Sequence, residues 1–97
     1  MGAPAILYYL RVQLGRRTYY KIGVTNRELR SRIRGLMRRP GIRITELHSA
    51  SYRRGASAWR KEREILKRFG RYRYRGKDIL ENGNTELFTC DVLELDE

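Results

Sequence analysis

Two adjacent runs near the start of the chain constrain its fold more than any other feature. Residues 5–14 and 18–24 are rich in β-branched, aromatic and aliphatic side chains, which is the composition of β-strands. Gly15-Arg16-Arg17 lies between them and supplies a turn. The pattern therefore predicts a β-hairpin over this part of the chain.

The residues after the hairpin predict a first helix. Thr25 or Asn26 can cap its start, and Pro40-Gly41 is expected to end it. Between these limits, apolar side chains recur at the spacing of one helix face: Leu29, Ile33, Leu36 and Met37. The expected helix is therefore amphipathic, with a single apolar stripe.

A strand and a second helix are predicted next. Residues 42–50 have the composition of a third strand. The second helix is expected to follow a cap at Ser57 and to run to about Phe69. Residues 70–76, GRYRYRG, alternate aromatic with basic side chains, and we expect an irregular or extended arm there.

The last part of the chain completes a single domain. Asn82-Gly83-Asn84 predicts a turn, and residues 85–95 predict a final short strand. The order ββαβαβ indicates an α+β fold, in which a small antiparallel sheet is flanked by two helices. Because 97 residues support one modest core, the whole span 1–97 is expected to be one domain.

Basic side chains dominate the composition and indicate a polyanionic partner. The formal net charge is +11, from 22 Lys and Arg against 11 Asp and Glu. Residues 26–39 and 52–75 carry this excess, whereas residues 78–97 hold acids and no Lys or Arg. A field of this size attracts polyanions and speeds their association, so nucleic acid is the favoured partner. The plainer interpretation is a basic surface that only keeps the domain soluble.

The sequence disfavours several other classes of protein. No apolar run reaches the roughly 18 residues of a membrane-spanning helix, and Arg11 interrupts the one candidate for a signal peptide. The single cysteine, Cys90, excludes an internal disulfide and offers no zinc-site spacing. The chain is therefore expected to be cytoplasmic, without a membrane partner.

Glu62 is the most informative single residue. It falls inside the apolar arc of the second helix, about 120° wide, that is defined by Ala58, Trp59, Ile65, Leu66 and Phe69. A carboxylate on a buried stripe is costly unless a cation or strong donors meet it. Two interpretations stay open: a metal ligand at the floor of an active site, or a structural ion pair, for example with an arginine of the first helix.

Arg32 stands out on the first helix. It lies at the edge of the apolar stripe, where it can lie along the sheet or simply snorkel over the core. Four other arginines point away from the stripe and can meet phosphates: Arg27, Arg30, Arg34 and Arg38.

The hairpin adds a lysine and a tyrosine to the same region. If its loop has two or four residues, Lys21 lies opposite Leu10 and diagonal to Tyr8, on the same face of the sheet. A loop of odd length would break this arrangement. Tyr, Lys, Arg and Glu together suit phosphodiester hydrolysis, which needs water activation, charge stabilisation and a Lewis acid. The lone histidine, His48, is expected to be structural or exposed.

Several segments, in order along the chain, resemble the motifs of the GIY-YIG nuclease superfamily, specifically its compact phage-type branch. AILYYL stands at the first motif with its Tyr, YYKIGVT at the second, and ELRSRI supplies the Leu-x-x-Arg that follows. KEREILKRF resembles the Glu-bearing helix, and GNTELF resembles the closing motif of this branch. The resemblance covers nearly the whole chain.

The resemblance implies a metal-dependent DNA endonuclease that nicks or cuts its substrate, which is expected to be duplex DNA. Tyr8 would activate the water with help from Lys21, and Arg32 would stabilise the transition state. Glu62 would bind one divalent metal ion, Mg²⁺ or alternatively Mn²⁺. A phage origin, and with it a host cytoplasm, is implied in the same way.

The chain also departs from the motifs of the superfamily. Lys21 stands where most members have Tyr, and Tyr20 takes that place if the register slips by one. Tyr9 is the alternative to Tyr8. Leu36 occupies a position, one turn after the motif arginine, where a His is often found, so one proton-handling group is missing.

Two other functions remain open. One is a non-catalytic nucleic-acid-binding module that retains the fold, and the other is an interaction protein whose acidic C-terminal stretch masks its own basic face. The second predicts that truncation after Lys77 improves DNA binding.

Eight residues are expected to contact DNA without doing chemistry: Tyr20, Arg27, Arg30, Arg34, Arg38, Arg71, Arg73 and Arg75. The run at 71–75 suits backbone contact and base stacking, or alternatively forms a solvated connection. Sequence specificity would need groove contacts, a homodimer or a partner protein.

Overall fold

An antiparallel four-stranded sheet is the centre of the fold. The computed structural model describes residues 3–37, 40–80 and 83–97. The sheet order is β3-β1-β2-β4, for strands β1 (Ala5–Leu14), β2 (Arg17–Thr25), β3 (Ile42–Tyr52) and β4 (Leu87–Phe88). Two helices accompany it, α1 (Leu29–Leu36) and α2 (Gly55–Arg68). The predicted α+β class and the ββαβαβ order are confirmed.

The predicted hairpin is formed by β1 and β2. Gly15-Arg16 connects them, and Gly15 has a φ of 61°, a left-handed conformation that glycine adopts without strain. This two-residue loop pairs Leu10 with Lys21 and Tyr8 with Gly23. Tyr8 and Lys21 therefore share one face of the sheet, as the even loop length predicts.

Each face of the sheet carries its own apolar cluster because side chains alternate along a strand. The first cluster packs against α1 and includes Tyr8, Leu10, Val12, Leu36 and Leu87. The second packs against α2 and includes Leu7, Tyr9, Ala58, Ile65 and Phe88. The two helices therefore lie on opposite faces of the sheet.

The first helix is shorter than the sequence predicts. It begins at Leu29 and ends at Leu36, where the Met37 N–H bonds back to the Ile33 carbonyl at 3.1 Å. The predicted cap Thr25 does accept a backbone bond, from the Arg27 N–H at 3.1 Å, but this turn precedes the helix. Arg38, predicted on this helix, lies outside the described residues.

The second helix begins at Gly55, two residues before the predicted cap Ser57. The Gly55 N–H donates to the Ala3 carbonyl at 2.8 Å, and a Cβ at Gly55 would lie 2.9 Å from that oxygen. A long-range contact, rather than a local cap, therefore fixes the start of α2. No helix in the described ranges is long and apolar enough to cross a membrane.

The predicted membership of Trp59 in the apolar arc of α2 is wrong. Its side chain is 47% exposed, whereas Ala58 and Ile65 are buried against the sheet. The arc deduced from the wheel was too wide, because the contact with the sheet uses only a narrower stripe of the helix. Glu62 lies on that narrower stripe and is buried.

The predicted strand over residues 85–95 is wrong except at Leu87 and Phe88. β4 contains only Leu87 and Phe88, which pair with Lys21 and Tyr20. The chain then crosses the face opposite α1, held by side-chain hydrogen bonds to Asp91 and Asp96. These side-chain bonds hold the segment in place, so it does not need to pair with β2 as a continued strand.

Candidate active site

Tyr8 and Arg32 form the first part of the site. Tyr8 lies in the middle of β1 and is buried, and a Cβ at Gly23 would overlap its ring. The Arg32 Nε, on α1, donates a hydrogen bond of 3.2 Å to the Tyr8 hydroxyl. Burial raises the pKa of Tyr8, and the Arg32 guanidinium opposes part of that rise. The hydroxyl is therefore neutral at ordinary pH, with its own proton directed away from Arg32.

Lys21 and Glu86 form the second part. Lys21 has no exposed surface, and its Nζ donates to the Glu86 Oε1 at 2.9 Å and to the Gly83 carbonyl at 3.1 Å. Gly83 has a left-handed φ of 72°, and a Cβ there would press on the ammonium. Burial lowers the pKa of Lys21, and Glu86 acts against that change.

Glu62 is the third part and comes from the opposite side of the sheet. It is 5% exposed, and its Oε2 has no hydrogen-bond partner among the described residues. Burial raises the pKa of Glu62 to about 7, and the Glu86 carboxylate acts in the same direction. Within the described ranges Glu62 forms no ion pair with a cation of α1, which was the example given for the structural interpretation of this residue.

The short β4 explains how side chains from both faces come together. β4 pairs with β2 only at Tyr20 and Lys21. Beyond Lys21 the edge of β2 has no partner strand in the described part of the chain, so Glu62 can interact around it. Burial shifts the pKa values of Tyr8 and Lys21 most, and the charges of Arg32, Glu62 and Glu86 also affect both. We call these five residues the edge cluster.

The alternative tyrosines lie on the other face of the sheet. Tyr9 and Tyr20 stack with ring centroids 6.0 Å apart. Their hydroxyls donate to Asp91 at 2.7 Å and to Asp96 at 2.8 Å. Burial and these carboxylates raise the pKa of both hydroxyls, that of Tyr20 to about 12. The structure brings Tyr8 and Lys21, but neither Tyr9 nor Tyr20, into the edge cluster.

The residues predicted to contact DNA fall into three groups. Five are exposed in the structure: Arg27, Arg30, Arg34, Arg71 and Arg75. Arg73 is engaged by the chain itself, since its Nε donates to the Thr85 carbonyl at 3.0 Å. Tyr20 is bonded to Asp96, and Arg38 lies outside the described residues. His48 is exposed on β3.

Sequence reasoning missed Glu86 and understated Asn84. The Asn84 Oδ1 accepts the N–H groups of Ile79 and Leu80 at 2.7 and 2.8 Å, which anchors the loop that carries Gly83 and Glu86. Asn84 is therefore more than a turn residue. A lysine on an apolar strand face requires a nearby carboxylate. That requirement was the available signal for Glu86, in a C-terminal part rich in acids.

The edge cluster suits a hard divalent cation, because one buried carboxylate oxygen of Glu62 has no partner among the described residues. No three metal-binding side chains gather in the described ranges. An ion here would therefore take carboxylate oxygens from Glu62, with Glu86 beside it, and fill its shell with water and phosphate oxygens. Mg²⁺ is commonly bound in this way.

The family comparison matches nearly the whole chain. The family model of the T5orf172 domain matches residues 5–97. This phage-associated domain is found in a nuclease-like, GIY-YIG-related context. The matched span contains all five residues of the edge cluster. No curated protein and no solved structure matches the chain significantly.

Proposed function

The chain belongs to the T5orf172 domain family, and from this membership and the edge cluster we propose that it is a metal-dependent DNA endonuclease of the GIY-YIG type. The family is consistent with a nuclease-like or DNA-binding module. One observation carries the finer assignment: the buried Glu62 carboxylate retains an oxygen without a partner among the described residues, beside a buried lysine and a buried tyrosine. A module that only bound DNA would have no use for this arrangement.

Tyr8 positions the attacking water. Because its hydroxyl oxygen accepts a bond from the Arg32 Nε, its own hydrogen is available to a water or a phosphate oxygen. Its raised pKa keeps the hydroxyl neutral, so Tyr8 orients the water and does not itself act as a resting base.

Lys21 is the candidate proton acceptor. Burial lowers its pKa, which raises the fraction of neutral amine that can take a proton from the water. Glu86 and the Gly83 carbonyl hold the amine in place, and Glu86 opposes the loss of its charge. Lys21 therefore takes over from the Tyr that most GIY-YIG members have at this position.

Arg32 and Glu62 complete the chemistry. The Arg32 guanidinium adjoins the Tyr8 hydroxyl, so it can stabilise the negative charge that develops on the phosphate. Glu62 would hold one divalent ion, Mg²⁺ or alternatively Mn²⁺, which supplies Lewis acidity at the phosphate when bound. The exposed arginines of α1 would bind the DNA backbone, and specificity would come from a homodimer or a partner protein.

A non-catalytic nucleic-acid-binding module is the second candidate. The Lys21–Glu86 ion pair favours it, since a buried lysine that already has a carboxylate partner can be purely structural. The acidic C-terminal segment does not mask α1, as the third, self-masking function would require for that part of the basic surface. Asp91 and Asp96 bond to Tyr9 and Tyr20 on the face opposite α1, away from the arginines of that helix.

Cleavage of supercoiled plasmid tests the proposal. We expect Mg²⁺-dependent nicking or linearisation that stops with EDTA and falls by at least about 100-fold in Glu62→Gln. Glu64→Gln, on the exposed side of the same helix, is the matched control and should cut normally. Mg²⁺ should also raise the Tm of the wild type and of Glu64→Gln but not of Glu62→Gln. A folded wild type that binds DNA without cutting it, across several divalent ions, would favour the binding module.

A further inference from the structure

Trp59 is a large apolar side chain that the fold does not bury. It lies in the first half of α2, is 47% exposed and belongs to neither apolar cluster of the described residues. It is also the single tryptophan of the chain. Its indole therefore contributes little to the core and is available to a partner.

Trp59 lies between the edge cluster and a basic strip. Glu62 follows it by three residues, which places the two side chains one helical turn and about 60° apart. On the other side, Arg63 and Arg60 are both exposed, and Arg63 is the next residue along the same surface. An aromatic ring therefore borders the candidate catalytic carboxylate, with guanidinium groups beside it.

This arrangement fits one strand of nucleic acid with an unpaired base. Arginines attract the phosphates, and an aromatic ring stacks on any base whose face is accessible. A base within a duplex is already stacked on its neighbours, so only an unpaired or extruded base can reach the ring.

We propose that Trp59 stacks on an unpaired base next to the phosphodiester held at the edge cluster. The substrate class is then nucleic acid with at least one unpaired nucleotide at that position, such as a single strand, a bulge or a branch. The proposal rests on the nucleic-acid partner of the proposed function but not on cleavage.

Tyr72 is the competing candidate for base stacking, because it lies in the basic-aromatic run 71–75 and is also strongly exposed. It is 41% exposed and lies in the 3₁₀ turn Gly70–Tyr72, beyond the end of α2. The Arg71 guanidinium already lies 5.8 Å from its ring centroid. Tyr72 follows Glu62 by ten residues and lies beyond the end of the helix that carries Glu62.

Binding without metal tests the proposal. Labelled oligothymidylate and a duplex of equal length are titrated in EDTA, by anisotropy, against the wild type and three variants. We expect Trp59→Ala to weaken single-strand binding by about tenfold and duplex binding by less than about twofold. Trp59→Phe should keep most of the affinity, and Tyr72→Ala, which removes the competing candidate, should weaken single-strand binding much less than Trp59→Ala does. Single strands should also quench the Trp59 fluorescence of the wild type.

Several outcomes would overturn the inference. Equal losses on both substrates in Trp59→Ala, or a loss of the single-strand preference in Tyr72→Ala alone, would exclude a stacking role for Trp59. So would a wild-type dimer that dissociates in Trp59→Ala while its DNA affinity is unchanged, because Trp59 would then be an interface residue. If the wild type bound neither substrate, the proposed function would fail as well. If the wild type bound the single strand and the duplex equally, without quenching of the Trp59 fluorescence, only the stacking role of Trp59 would be excluded.

Discussion

At the scale of single residues, the edge cluster is defined by charge that the core does not neutralise. Glu62 and Lys21 are both buried, and a buried charge needs an opposite charge or strong hydrogen bonds. Lys21 has Glu86 and the Gly83 carbonyl, whereas one Glu62 oxygen has no partner among the described residues. Burial of the Glu62 carboxylate lowers the stability of the fold, which makes this residue a candidate for a role in function.

The cost of Glu62 predicts an unusual pH dependence of stability. Its folded pKa is about 7, above the ordinary value of 4.5. The folded state therefore retains a proton that the unfolded state loses, so stability falls as pH rises from about 4.5 to about 7 and is then level. For this group alone the loss is about 3 kcal/mol.

Urea unfolding in EDTA at pH 5 and pH 8 measures this effect. The wild type should lose about 2.5 kcal/mol more than Glu62→Gln across that interval, because the variant lacks the carboxyl group that titrates. Glu64→Gln should behave as the wild type does. Equal losses in wild type and Glu62→Gln would mean that the Glu62 carboxylate is well solvated in the folded protein.

At the scale of elements, the hairpin was the most predictable part of the fold. The start of α2 and the limits of β4 were the least predictable. A two-residue loop fixes the register of β1 and β2, so the shared face of Tyr8 and Lys21 followed from loop length alone. The start of α2 depends on the bond from Gly55 to Ala3, far apart in sequence, and no local pattern reveals it. Periodicity likewise gave the burial of Glu62 but could not limit the contact stripe, so it placed Trp59 wrongly.

The close pairing of Tyr8 with Gly23 gives a prediction for the hairpin. Gly23→Ala would push the Tyr8 ring from its place, because a Cβ there overlaps the ring. We expect a loss of about 1–3 kcal/mol in unfolding free energy from overpacking. If the chain is a nuclease, cleavage by the folded fraction should fall by about 100-fold, since the hydroxyl would leave Arg32.

Gly35→Ala is the matched control in α1. No atom lies within 4 Å of a Cβ at that position, so alanine should fit. It should stabilise this eight-residue helix by up to about 1 kcal/mol and leave cleavage unchanged. Urea unfolding and plasmid cleavage of both variants check the pair. A Gly23→Ala protein with wild-type stability and activity would show that the strand accommodates the methyl group without moving Tyr8.

At the scale of the whole molecule, basic helices lie on both faces of the sheet, and the acidic C-terminal segment lies on the face opposite α1. α1, with exposed Arg30 and Arg34, covers one face. On the other, carboxylates of the C-terminal segment accept bonds from the hairpin, and Asp96 also pairs with Arg11 at 2.8 Å. Composition predicted that the C-terminal segment is separate from the basic residues of α1, because basic and acidic residues occupy different parts of the chain. Composition could not predict the contact of Glu86 with the buried Lys21.

Arginines that contact phosphates directly affect the salt dependence of DNA binding differently from a high net charge without a defined binding face. If α1 meets the phosphates, removing two of its arginines lowers the slope of log K against log salt by about two. Arg30→Ala combined with Arg34→Ala should do so, measured by anisotropy of a labelled duplex over a range of NaCl concentrations. Arg16→Ala combined with Arg43→Ala removes the same charge at the turn end of the hairpin, where both side chains are exposed. That pair should lower affinity slightly and keep the slope, because it changes the long-range field without losing a phosphate contact. Equal slopes for the two double variants would mean that the net charge of +11 attracts DNA without a defined binding face.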